Sequence, residues 1–442
     1  MHILCTKGTP LVDSLDHLPP LPLFVSYRDE MGYVVRDRSF TWERVAVSEE
    51  DQLGINHALR LRDRIRHIDL HLPPSTLHEF LMLMNEPFPI LEHLSLSFLA
   101  DKLTTFSLPK TFLAPNIRHL ALLGIGLPKR LRLLTSTVSL VSLDLTNIQA
   151  SGYFRPRILV ARLQSLPQLE EISIGFSVPI PRPSAERLLL GEQGTPVMLP
   201  SLKKLTFRGV SVYLERLVSQ ITAPLLERLD ISLFNQIAFT LPHLSHFVNT
   251  TDQIKFLSTG MVRFGDEASI TLGHRNMEWV GSYDQRFILR VMCKQMDWQI
   301  DCAAQICIAL MPALSGVDML TLDNNYGWGT PTQTRLELRN DEIDDTTWHD
   351  LLRPFIGVKE LCVGYFLSEG LSRALEVDEI GSDPGFLPAL QNLESKYSGV
   401  QRDNMFDSFI NSRRVAGRPV ALRLPPPLPS YGIFGQSSAL SQ

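Results

Sequence analysis

Three histidines recur at equivalent places in similar stretches of sequence: His67 in IRHIDL (65–70), His93 in LEHLSL (91–96) and His119 in IRHLAL (117–122). Neutral imidazole is a metal ligand and titrates near physiological pH, so a column of three can in principle hold a metal or sense protons. If the stretches stack in register, neighbouring rings stand about 4.8 Å apart. No orienting carboxylate recurs with them, because Asp69 gives way to Ser95 and Ala121 at the equivalent places. The expectation is therefore three solvated histidines on a polar sheet face, each titrating near about 6.5, and no metal site. Cys302 and Cys307 lie five apart on an expected helix and read as small core residues. His78–Glu79 lacks the second histidine of a zinc-protease helix, and there is no G-x-G-x-x-G, no Walker-type loop and no C-x-x-C pair. With no nucleophile, acid and base converging by spacing, the chain reads as a non-enzyme without a cofactor. The arginines at 60, 62, 64 and 66 follow an expected helix and read as its solvated end rather than as a phosphate or acidic-ligand site.

The histidines belong to a pattern that the chain keeps rewriting. Proline, an apolar residue and then L-x-x-L-x-L appear in FPILEHLSL (88–96), APNIRHLAL (114–122), LPQLEEISI (166–174), LPSLKKLTF (199–207) and APLLERLDI (223–231). Versions without the proline stand at 65–70, 140–145, 317–322 and 358–363. Starts at 65, 91, 117, 140, 169, 202 and 226 give steps of 26, 26, 23, 29, 33 and 24 residues. A unit of that length with this core is the signature of a leucine-rich-repeat solenoid. The end of each motif reads as a short strand whose leucines enter a core shared between repeats, since one repeat alone cannot bury its apolar face. The proline stops the preceding helix and turns the chain into the strand. The fold class expected is α/β: a leucine-rich-repeat-like solenoid with irregular repeats, a curved parallel sheet on its concave side and helices outside.

Composition agrees with such a chain. At 442 residues and 44% hydrophobic it has enough apolar side chains for a continuous core. A net charge of −5 gives no reason to expect nucleic acid or an anionic membrane as partner. Five scattered cysteines fit a reducing compartment. With no apolar run of about 18 residues, and no signal-peptide pattern at 1–15, the expected location is cytoplasmic or nuclear. The Asn249–Thr250–Thr251 sequon would then go unused.

Three regions are expected: 1–47 without the repeat, a solenoid over 48–424, and a disordered Pro/Ser-rich tail over 425–442. Leu21–Tyr27 reads as a strand. Ser48 is a candidate cap for a helix over 48–61 with Glu49, Glu50 and Asp51 in its first turn. Ser75 begins an imperfect capping box for a helix over 75–84. Further helices are expected over 157–166, 185–190, 211–221, 298–310, 346–355 and 367–375. Strands without the motif are expected at 268–272 and 287–293, and a projecting loop over 323–345.

Several runs carry a resemblance: ALRLRDRIRHIDL (58–70), EPFPILEHLSL (86–96), FLAPNIRHLAL (112–122), LVARLQSLPQLEEISIGFSVPIPRP (159–183), LPSLKKLTFRGVSVYLERLVSQITAPLLERLDISLFNQ (199–236) and CKQMDWQIDCAAQIC (293–307). The chain resembles, from about Leu21 to Leu424, the F-box/leucine-rich-repeat proteins expanded in mushroom-forming basidiomycete fungi. The resemblance implies a receptor whose F-box docks onto a Skp-type adaptor while its repeats recruit a protein for ubiquitination by a cullin-based ligase. Residues 1–20 are too short for the helical F-box, so no F-box residue carries over, and an adaptor is expected only if an F-box lies upstream. The expected function is the substrate-recruiting repeat region of such a receptor, with an unidentified protein substrate; the alternative is a structural or decoy scaffold without a ligase link. The residues expected to contact the partner are the third and fifth of the motif: His67, Asp69, His93, Ser95, Glu171, Ser173, Lys204, Thr206, Arg228 and Asp230.

Overall fold

A computed structural model describes residues 2–9, 19–28, 31–36, 39–44, 47–98, 106–127, 132–180, 196–275, 283–324, 344–364, 367–377, 387–395 and 405–423. The repeat strands are, in chain order, β1 (Ile3–Cys5), β2 (Leu23–Arg28), β3 (Ile65–His71), β4 (His93–Ser97), β5 (His119–Leu123), β6 (Ser142–Ile148), β7 (Glu171–Phe176), β8 (Lys204–Gly209) and β9 (Arg228–Phe234). They continue as β10 (Thr259–Phe264), β11 (Ala268–Arg275), β12 (Tyr283–Met292), β13 (Met319–Asn324), β14 (Glu360–Val363), β15 (Asn392–Ser395) and β16 (Ala421–Arg423). The chain divides into two compact units, Met1–Leu257 with Thr271–Cys293, and Ser258–Ile270 with Lys294–Gln442; β11 contributes to both.

In the first unit β1-β2-β3-β4-β5-β6-β7-β8-β9-β12 lie side by side, every pair parallel. All seven motif segments from 65 to 231 are in this sheet, in sequence order. Leu94, Leu120, Leu143, Ile172, Leu205 and Leu229 align across it and are buried. In the second unit β10-β13-β14-β15-β16 are likewise parallel, so the motifs at 317 and 358 continue the pattern there. Parallel pairing follows from the connections, since parallel neighbours need a crossover rather than a tight turn.

The crossovers of the first unit carry α1 (Glu49–Arg60), α2 (Pro74–Leu83), α3 (Pro156–Leu163), α4 (Ser211–Val218) and α5 (Pro242–Thr250). Here α1 packs on α2, α3 on α4, and α4 on α5. In the second unit α6 (Met296–Ala309), α7 (Asp345–Leu352), α8 (Ser368–Val377) and α9 (Asp407–Val415) pack each on the next. The expected helix at 185–190, nearly all of the loop at 323–345 and the tail at 425–442 lie outside the described residues.

Four local expectations can be compared with the structure. Ser48 caps α1, its Oγ accepting from the Asp51 N–H at 3.1 Å. Ser75 does not cap α2: Pro73 occupies the cap and Pro74 the first turn, where a fixed φ and a missing N–H suit the helix start. Residues 1–47, set apart by the sequence reading, contribute β1 and β2 to the sheet. Their strand signal is plain alternation, with Leu23, Val25 and Tyr27 buried. Three of the four arginines meet partners, while Arg60 stands exposed at the end of α1. Arg62 pairs with Glu86, Arg64 donates to the carbonyls of Pro19 (3.0 Å) and Leu21 (3.3 Å), and Arg66 pairs with Glu92 at 2.8 Å.

The start of α5 shows how neighbouring repeats complete each other. Its cap residue, Leu241, offers no side-chain acceptor. The buried Glu215 carboxylate on α4 takes that role, accepting from the N–H groups of His243 (2.8 Å) and Leu244 (2.9 Å). Burial raises the Glu215 pKa, and the two backbone donors oppose that rise. Glu215→Ala leaves the buried Leu244 donor and the part-buried His243 donor without this partner and is expected to cost about 1–3 kcal/mol. Glu215→Gln keeps one acceptor and should recover about half. Urea denaturation of the two variants checks this, and equal stability of Glu215→Ala and wild type would refute it.

Candidate functional site

The side chains that alternate with the buried leucines stand in register columns. The third motif position gives Phe24, His67, His93, His119, Ser142, Glu171, Lys204 and Arg228 across successive strands. The fifth gives Ser26, Asp69, Ser95, Ala121, Asp144, Ser173, Thr206 and Asp230. The structure thus brings the ten expected residues onto one sheet face.

Sequence reasoning missed the ends of the strands, which run past L-x-L. Arg28 and His71 stand in register there, as do Arg208, Ser232 and Arg290. Two of these residues pair with expected ones, and a third meets another strand-end residue. Arg28 pairs with Asp69 at 2.9 Å, Arg290 pairs with Asp230, and His71 Nδ1 lies within hydrogen-bond distance of Ser97 Oγ. The alternation of the motif, extended two residues further along each strand, would have found them. Asp144, also unassigned from the sequence, is half-buried between Ala121 and Ser173, and burial raises its pKa.

The histidine column is a stack of rings. His67 and His93 lie with centroids 4.1 Å apart at 10°, and His93 to His119 is 5.6 Å at 38°. Phe24 extends the stack, 5.4 Å from His67 and 4.2 Å from His2. The expectation of ordinary imidazole titration does not hold for His67 and His93. Burial among the neighbouring rings is the main cause, pushing His93 down to about 4, and His67 and His119 add like-charge repulsion; Asp69 pulls the other way. His67 is lowered too, again chiefly by burial. Face-to-face rings direct their in-plane lone pairs side by side rather than at one point. Among the described residues no group of three or more His, Cys, Asp or Glu is placed to hold a metal.

A pH dependence follows from the His93 shift. The unfolded chain takes up a proton at about 6.5, whereas folded His93 resists it until about 4. Its contribution to stability is therefore present above pH about 6.5 and is lost as the pH falls toward 4. A shift of that size corresponds to about 3 kcal/mol, which solvent screening at a half-buried site reduces to roughly 1–2. Denaturation at pH 7.5 and 5 should show wild type losing more stability than His93→Asn. Equal losses would show that the stack does not exclude protons.

All five cysteines are buried and outside any disulfide; burial pushes the Cys5 thiol up to about 11 and raises Cys307 as well. A surface pocket beside residues 150–152 is lined by Leu127, Ser151, Gly152, Tyr153, Phe154, Arg155 and Ile158. No carboxylate, imidazole or thiol is among them, so no acid–base pair converges there. No helix among the described residues is long and apolar enough to cross a membrane.

The recurring motif, the parallel ladders and the stacked helices define an α/β repeat protein of leucine-rich-repeat type. No family model matches the chain, and no curated protein matches it. Among solved structures it is similar to the leucine-rich-repeat-containing protein LegL7 from Legionella pneumophila, at 11% identity over 95% of this chain and 99% of that chain, with a TM-score of 0.28.

Proposed function

We propose that this protein is a non-enzymatic scaffold that binds another protein through the polar sheet face of its first unit, as the substrate-recruiting repeat region of an F-box-type ubiquitin-ligase receptor in the cytoplasm or nucleus. The observation that carries the binding role is the display itself. Polar and charged side chains stand at fixed register on strands backed by a close-packed leucine layer. A face held this way loses little conformational entropy on binding, which favours recognition of a polypeptide laid across the strands. The ligase link rests on the sequence resemblance.

A photoreactive amino acid placed at Ser173 or Thr206 tests the binding role. Polypeptides from native extract should crosslink at these positions and not at Arg157 on α3. Equal labelling at all three would remove the face as the binding surface. The ligase link is tested separately. The described residues before α1 are β1, β2 and an antiparallel hairpin of Met31–Arg36 with Ser39–Arg44, not a helical module. Purified Skp-type adaptor is therefore expected not to be retained by this polypeptide. Stoichiometric retention would mean that an adaptor surface lies within these residues. A structural or decoy scaffold without a ligase link is the alternative, and a transcript that encodes an F-box upstream of Met1 would decide against it.

A further inference from the structure

The sheet face of the first unit changes sign along its length, and one part of it collects cations. Lys204 and Arg208 on β8, Arg228 on β9 and Arg290 on β12 share that face. Lys204 and Arg228 are register partners on adjacent strands, as are Arg208 and Ser232, with Arg290 next in the same row. Like charges directly opposite on neighbouring strands are destabilising. The carboxylate among them is Asp230, which pairs with Arg290 and lies 4.0 Å from Arg228. Even with Glu171, in register with Lys204, counted beside Asp230, four cations against two carboxylates leave a surplus of positive charge. Arg208 is exposed and lies 5.9 Å from the Phe234 ring, which orients its guanidinium without neutralising it. The cations of the adjoining rim are, by contrast, matched. Lys203 pairs with Glu170 at 2.8 Å, and Arg286 with Asp284 at 2.7 Å and Glu227 at 3.9 Å. On the other side the sign reverses, with Glu171 in register with Lys204 and Asp144 one strand further. The surplus is therefore local, in a chain whose net charge is −5.

We infer that Lys204, Arg208, Arg228 and Arg290 receive an extended acidic segment of the partner polypeptide, rich in Asp and Glu. This inference rests on the protein-binding reading above and narrows it to one partner chemistry. Guanidinium groups engage carboxylates in bidentate pairs. A segment laid across the strands meets Lys204 and Arg228 on neighbouring strands, about 4.8 Å apart, in one row, and Arg208 and Arg290, two strands apart with Ser232 between them, in the other. Nucleic acid fits less well, because Glu171 and Asp144 border the patch and limit any continuous basic track.

Fluorescence anisotropy with the whole chain and a labelled twelve-residue Glu-Ser repeat peptide tests this. The expected result is saturable binding at low salt, weakening steeply as salt is raised. The double variant Arg208→Glu/Arg228→Glu should weaken it at least tenfold, while Arg157→Glu on α3, with half the charge change, and a Lys-Ser repeat peptide serve as controls expected to show no loss and no binding. Binding unaffected by the double reversal, or absent at low salt, overturns the inference. So does a single-stranded oligonucleotide that binds more tightly than the peptide and competes with it, since the patch would then be a nucleic-acid site. Crosslinking at Ser173 or Thr206 reads the wider reading independently: if it persists while the acidic peptide fails, only the partner chemistry assigned here is wrong.

Discussion

Trp348→Ala is expected to destabilise the second unit by about 3–5 kcal/mol. Trp348 lies on α7 with 0% exposure, the largest of the fully buried side chains. The helices around it are built to its shape: α7 packs on both α6 and α8, and Gly370 on α8 leaves room for the indole. A Cβ at that glycine would stand 3.1 Å from Trp348 Nε1 and 3.5 Å from the ring. Truncation thus opens a cavity between three helices, and close-packed interiors relax only partly around such a void. Among the described residues the indole N–H has no hydrogen-bond partner, so Trp348→Phe removes an uncompensated polar group together with some volume and should cost less than the alanine variant. Denaturation, with hydrogen exchange read at β14, measures both. A loss below about 1 kcal/mol for Trp348→Ala would place the side chain outside a packed core.

The second large effect belongs to the first unit. Leu205→Ala should cost about 2–5 kcal/mol, whereas Thr206→Ala, one residue along the same strand, should cost under about 1. Leu205 is 0% exposed and stands between Ile172 and Leu229 of the neighbouring strands. Thr206 faces the opposite way, in register with Ser173 and Asp230. A repeat shares its core with its neighbours, so the loss at Leu205 should loosen β7 and β9 as well as β8. Hydrogen exchange resolves this strand by strand. Similar costs at the two positions would mean that the strand's inward and outward faces are assigned wrongly.

The contrast between those two positions marks what could be read directly from residues. A strand has a side-chain period of two, so L-x-L fixes which side chains share a face, and the leucine spacing fixes the register between repeats. That is why His67, His93 and His119 fall in one column. It is also why the seven motifs between 65 and 231 take up the parallel order expected. The weaker signals were those without the motif. β1 and β2 carry only short alternation, and the arginine run gave no sign of the carbonyls and carboxylates it meets.

The sequence by itself therefore determined the repeat, the α/β class and which motif residues share the sheet face, because these depend on local periodicity. Only the tertiary structure decided how that face behaves. His93 titrates low because rings 26 residues away on either side enclose it. Glu215 caps a helix whose first N–H groups lie 28 and 29 residues along the chain. Arg290 reaches Asp230 across 60 residues to become part of the basic patch. Desolvation, capping and ion pairing depend on what stands within a few ångströms, and in a solenoid the nearest neighbours across the sheet are a whole repeat apart in the chain.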